Sequence, residues 1–191
     1  MEEDLKAIII MIKDIFFKPI STIKNTALLT YDLKKLTIMY IILMYFVLIV
    51  AALKAGASLA FYMFIVYFII AYISAMMNIF LVTFMNTMII NYNSDKQFDR
   101  KSIKILLLPY VFCYELIFAA IMLVFWFINN KVFILLLNIP GCIWFYWNFW
   151  NICKYKLGLC KAKTKNVILT SLSCFVVLVV ILQVLNSFRK Y

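Results

Sequence analysis

Histidine is missing altogether from the 191 residues of this chain. Its absence excludes Ser-His-Asp triads, His-ligated metals, haem with a histidine axial ligand and histidine phosphorelays. Glycine and proline are scarce, three of each. Gly56, Gly141 and Gly158 lie too far apart to build a phosphate-cradling loop. The five cysteines, Cys113, Cys142, Cys153, Cys160 and Cys174, include no C-x-x-C pair, which argues against metal or disulfide use. Acidic residues are few, eight against nineteen Lys and Arg, for a net charge of +11. In a water-soluble chain such an excess suggests nucleic acid. Here the lysines fall in short loops between apolar runs, where they set orientation and meet anionic lipid headgroups. Membrane lipid is therefore an expected partner, together with other membrane proteins or a second copy of the chain, whereas nucleic acid and cofactors are not.

Charge itself is absent over long distances. Four stretches of seventeen or more residues carry none, and a fifth is broken by Glu115 alone. With 67% hydrophobic residues, against about half in soluble domains, this makes the bilayer the solvent. A hydrocarbon core of about 30 Å takes roughly 20 helical residues to cross, and within it every backbone N–H and C=O must be paired inside its own segment. The expected fold is an all-α polytopic membrane helix bundle. Residues 1–35 are its cytosolic amphipathic segment, and 36–191 a five-helix transmembrane domain with spans at about 36–53, 59–90, 105–128, 132–153 and 167–188.

Within the first segment Leu5, Ile8, Ile9, Ile12, Ile15 and Phe16 follow helical spacing, with Lys6, Lys13 and Asp14 on the other side. Such a helix suits the headgroup plane. A signal peptide fits poorly, because Glu2, Glu3 and Asp4 open the chain and no small-residue cleavage site comes after the apolar run. Pro19 ends this helix, and Ser21 is placed to cap the next one. Short turns are expected at Lys54, Gly56 and Ser58 and at Asn129, Asn130 and Lys131. The second run exceeds one crossing, and one long helix protruding into the cytosol suits it better than a hairpin near Asn78, where no turn residues occur. With the N-terminus cytosolic, the inner segments hold 15 Lys and Arg and the outer ones 4. Five spans, with the C-terminus external, satisfy the positive-inside rule at every crossing.

Glu115 is the one carboxylate inside a span, about ten residues or roughly 15 Å into the third helix. An acid at that depth costs about 3 kcal/mol on insertion scales. With no Lys, Arg or His inside a span, a neutral, hydrogen-bonded Glu115 is expected. Asn78 to Thr83 of the second span and Ser173 of the fifth match its level. Two roles stand open, an interhelical hydrogen bond and a proton- or cation-coupled site. Asn86, Asn138, Asn148 and Gln183 suit interhelical bonding. Pro109 and the Pro140-Gly141 pair are expected kinks or breaks, which mark binding sites in some transporters and are ordinary in membrane helices. Trp144, Trp147 and Trp150 recur every third residue in the cytosolic half of the fourth span. They suit an aromatic belt or a lipid groove, above the basic loop of Lys154, Lys156, Lys161, Lys163 and Lys165. Cys153 and Cys160 border that loop, either as small hydrophobes or as acylated thiols.

Three stretches carry a family resemblance. Lys13-Asp14-Ile15-Phe16-Phe17-Lys18-Pro19-Ile20-Ser21-Thr22-Ile23-Lys24 resembles the proline-ended amphipathic entry of bacterial members of the Yip1 domain superfamily. Phe98-Asp99-Arg100-Lys101-Ser102-Ile103-Lys104, with Pro109 beyond it, is similar to the family's basic segment before its third span. Leu157-Gly158-Leu159-Cys160-Lys161-Ala162-Lys163 resembles the stretch between its last two spans. The resemblance implies a small five-span protein of the bacterial cytoplasmic membrane with no established reaction. Two functions are compatible with this layout. The first is a non-enzymatic protein that organises protein partners or lipids. The second is a small permease or transporter component with a site at Glu115. A hydrated cavity reaching Glu115 would favour the second, and dry packing with lipid-facing grooves the first.

Overall fold

A computed structural model describes residues 2–24, 33–54, 56, 61–127 and 131–188. Seven helices are found among them: α1 (Glu2–Phe17), α2 (Pro19–Lys24), α3 (Leu33–Lys54), α4 (Phe61–Asn93), α5 (Arg100–Phe127), α6 (Lys131–Tyr155) and α7 (Lys161–Phe188). The described residues contain no strand. Among the described residues, three helices are long and apolar enough to cross a membrane, at Leu33–Lys54, Tyr62–Asn93 and Arg100–Ile121. The turn residues Ser58, Asn129 and Asn130 and the terminal Arg189 and Lys190 lie outside the described residues, as does the side chain of Gln183.

Burial divides these helices into two kinds. Only 17% of the most apolar stretch of α4 is buried within the bundle, against 56% for α5. Large apolar side chains such as Phe68, Ile69, Met77 and Phe80 stand exposed along α4. Each would lose about 1.5–3 kcal/mol of transfer free energy if bathed in water, so this surface favours an apolar surrounding. The bundle is compatible with a membrane protein and ill-suited to water. α4 is a single helix of 33 residues, some 50 Å long. It runs through Asn78 without a turn because its ladder contains no proline or glycine. Its inward stripe, Ala71, Ala75, Ile79, Thr83, Asn86, Thr87 and Ile90, keeps three- and four-residue spacing. The two alanines let α3 and α5 approach closely.

α5 is the centre of the bundle and packs against α1, α3, α4 and α6. Its buried run Leu107, Leu108, Tyr110, Val111, Phe112 and Cys113 covers nearly all sides of this stretch. Asp99 caps its start: Asp99 Oδ1 accepts the Ser102 N–H at 2.8 Å. Bonds from the Ser102 side chain and backbone hold the Asp99 carboxyl below the usual carboxylate range. Just before it, the amide of Asn91 clasps Phe98, donating to its carbonyl at 3.0 Å and accepting its N–H at 2.8 Å. The loop is thereby folded back along the end of α4. Gly158, at a φ of 65° that side-chain-bearing residues rarely adopt, turns the chain between α6 and α7. Lys163 at the start of α7 is ion-paired with Asp95, joining the two basic loops.

The N-terminal helices dock on the bundle. Ile8, Met11 and Ile15 of α1 and Ile23 of α2 are buried, and the Phe16 ring stacks on Trp144 with centroids 5.1 Å apart. Ile9, Ile10 and Phe17 stay exposed, Phe17 at 79%. α1 therefore has two apolar faces, one against α5 and one outward. Pro19 ends α1 and opens α2, a position where a missing N–H costs nothing. Ser21 lies inside α2, and its hydroxyl donates back to the Lys18 carbonyl at 2.9 Å. It is not an N-cap, because the chain re-enters helix directly at Pro19.

Candidate functional site

Glu115 sits on the buried side of α5. Tyr40, wholly buried on α3, donates its hydroxyl to Glu115 Oε1 at 3.1 Å. Asn78, midway along α4, donates its Nδ2 to the same oxygen at 3.1 Å and to Tyr40 Oη at 2.6 Å. Three helices are thus tied by one polar cluster within apolar surroundings, where a lost partner is not replaced by water. Both donors converge on Oε1, so Oε2 carries neither bond.

In front of the carboxyl lies a cavity of about 230 Å³ between α4, α5, α6 and α7. Its walls are mainly apolar, with Leu81, Val82, Met85 and Ile89 from α4, Val111 from α5, Phe145 from α6 and Phe175 from α7. Glu115 and Asn78 border one end. Asn86, two turns further along α4, holds the other, where its Oδ1 accepts a bond from Ser171 Oγ at 3.0 Å. Tyr114 and Cys142 also line the space, with Oη and Sγ 3.5 Å apart. Beside Cys142, Gly141 packs against α5. A Cβ there would stand 3.3 Å from Ile117 Cγ2 and 3.5 Å from the Tyr114 ring, so α5 and α6 approach each other across a hydrogen atom.

No known family model, curated protein or solved structure matches this chain.

Of the residues expected at the depth of Glu115, the fold brings only Asn78 to it. Thr83 is buried but spends its hydroxyl on the Ile79 carbonyl of its own helix at 2.6 Å. Ser173 is exposed on the outer side of α7, because Ser171, Cys174 and Phe175 take the inner face. Pro109 and Pro140 do not break their helices, since α5 and α6 continue through both. Gly141 acts through close packing. Trp144 is half-buried between Phe16 and Tyr110, Trp147 is exposed and Trp150 half-buried. Among the loop lysines, Lys154, Lys161 and Lys165 are exposed, Lys163 pairs with Asp95, and Lys156 donates to the Lys24 carbonyl at 3.2 Å. Cys153 is buried and Cys160 exposed, leaving Cys160 as the accessible thiol of that pair. Sequence reasoning missed Tyr40 and Ser171. A hydroxyl in the middle of an uncharged run was the signal for Tyr40. For Ser171 it was helical spacing to Cys174 and Phe175.

A second concavity opens on the outer side of α4. It encloses about 440 Å³ and is lined by Met76, Met77, Phe80, Thr83, Arg100 and Lys104, among others. The Arg100 guanidinium lies 4.2 Å over the Phe80 ring and 6.0 Å over that of Phe84. Two cations therefore close one side of a groove whose floor is methionine and phenylalanine.

Proposed function

We propose that this chain is a non-enzymatic, five-span protein of the bacterial cytoplasmic membrane, of Yip1-like layout, that organises anionic lipids and through them partner proteins. The N-terminus is cytosolic and the C-terminus external. The observation that carries the lipid role is the outer groove of α4. Its apolar floor suits an acyl chain, while Arg100 and Lys104 suit a phosphate headgroup, each worth about 1 kcal/mol near an anionic surface. The exposed loop cations Lys154, Lys161 and Lys165 add a broader field of the same sign. Native mass spectrometry of the chain from nanodiscs tests this. Phosphatidylglycerol should be retained over phosphatidylcholine, and an Arg100→Ala/Lys104→Ala variant should lose most of that preference. Equal retention of both lipids would end the lipid reading.

The orientation rests on the 15-to-4 division of Lys and Arg. It is checked by cysteine labelling in a background without native cysteines. Position 56 should label from outside. Positions 92 and 165, both exposed, should label only after permeabilisation. External labelling at 165 would invert the topology.

A second reading, a small permease component, is favoured by one observation: a cavity reaches Glu115. Uptake assays in proteoliposomes address it.

A further inference from the structure

We propose that the cavity in front of Glu115 is a binding site for a small amphipathic organic cation, its ammonium head on Glu115 and its apolar body along Val82, Met85, Val111 and Phe145. This inference rests on the permease reading, whose site it fills with a ligand class.

The back of the carboxyl is occupied by protein, and its front borders empty space. Tyr40 and Asn78 approach from α3 and α4 and both bond Oε1. A carboxylate has acceptor sites on both oxygens, so a second set is left on Oε2. The cavity supplies no cation for it, since no Lys or Arg is among the lining residues. Intramembrane acids are ordinarily paired or set in a water-filled cavity. Here the walls are mostly apolar, which suits a hydrocarbon body better than a column of water. An ammonium group brings N–H donors for Oε2 and the countercharge under which Glu115 can be ionised.

The dimensions limit the occupant. At about 230 Å³ the space falls below the roughly 300–1,000 Å³ of sites for drug-sized ligands. A whole phospholipid is excluded, and a short alkylamine is admitted. The far end is polar, with Asn86 bonded to Ser171 and Tyr146 beside Ser171. A second small polar group on the ligand would be accepted there.

The test uses the full chain in zwitterionic nanodiscs, with radiolabelled n-hexylammonium as probe, empty nanodiscs as the partition control, and 1-hexanol as the neutral counterpart. Saturable hexylammonium binding above the empty-disc background is expected, at least tenfold tighter than that of hexanol. Glu115→Gln should weaken the amine at least tenfold and leave hexanol unchanged. Met85→Trp, which fills the slot without touching the polar cluster, should exclude both and serves if the Gln variant fails to fold. Hexanol binding as tightly as the amine, or full amine binding by Met85→Trp, would overturn the proposal. Uptake of the same amine into proteoliposomes separates the two ideas. Saturable, Glu115-dependent binding without uptake upholds the site and removes the permease reading. Uptake of another solute without any amine binding overturns the site and keeps the permease.

Discussion

On its α3 side Glu115 meets Tyr40, fully buried and hydrogen-bonded to both Glu115 and Asn78. On its α7 side the same carboxyl borders a cavity whose polar groups, Asn86 and Ser171, bond each other. One half of the site is closed by protein, and the other has room for something else. A structural hydrogen bond alone would need only the first half. The difference shows that holding helices together occupies one side of this residue, and leaves the other side open for the proposed ligand.

The contrast between the two sides breaks first at Tyr40. Removing its ring in Tyr40→Ala should cost about 3 kcal/mol, the lower end for large aromatic truncations in cores, while Met85→Ala on the cavity wall should cost clearly less because it already borders space. Reversible unfolding in mixed micelles would measure both, and equal losses would mean that the cavity side is packed as tightly as the back. Next in size is Gly141→Leu. The 3.3 Å approach to Ile117 leaves no room for a branched side chain, and overpacking of this kind costs about 1–3 kcal/mol. Thermal denaturation monitored by size-exclusion chromatography should show the drop, and an unchanged midpoint would mean that α5 and α6 separate freely.

Glu115→Leu comes third, with a loss of about 1 kcal/mol, the scale of interhelical bonds in membranes. Glu115→Gln keeps an acceptor for Tyr40 and should fold nearly as well as the parent. A Leu variant more stable than the parent would show that the cluster does not hold the helices. The smallest effect lies at Asp99. Its carboxyl is held below the ordinary range by Ser102. The cap is therefore complete above about pH 4 and weakens as pH falls through the folded value. Asp99→Asn still caps, so it should flatten the acid limb of the thermal midpoint against pH without lowering the plateau. An unchanged acid limb would assign that limb to other groups.

The positions of the long helices were legible in the sequence because apolar run length carries that information directly. Their existence as α3 to α7 tracks the runs closely, and α4 stays whole where no turn residue interrupts it. What could not be read was rotation about each helix axis. When nearly every side chain is apolar, the moment that would mark an inward face vanishes. Ser173 was therefore chosen over Ser171, and Tyr40 passed for one more greasy residue. Asn78 was reachable because depth along an antiparallel pair depends on counting residues, which needs no knowledge of rotation. The docking of α1 escaped for a related reason: an apolar stripe at helical spacing suits the headgroup plane and a bundle surface equally, and Ile8, Met11 and Ile15 are committed to the bundle.

That docking bears on how the chain is made. Lys24, at the end of α2, receives a bond from Lys156, 132 positions later. At synthesis rates of about 5–20 residues per second, the interval between the two is on the order of ten seconds. α5 and Trp144, which cover α1, are made part-way through that interval, so α1 precedes its partners by several seconds at these rates. Its outward face, Ile9, Ile10 and Phe17, is of the kind that suits a membrane surface in the meantime. Its other face can be covered only once α5 and α6 follow, so a segment made early depends on later ones to fix it.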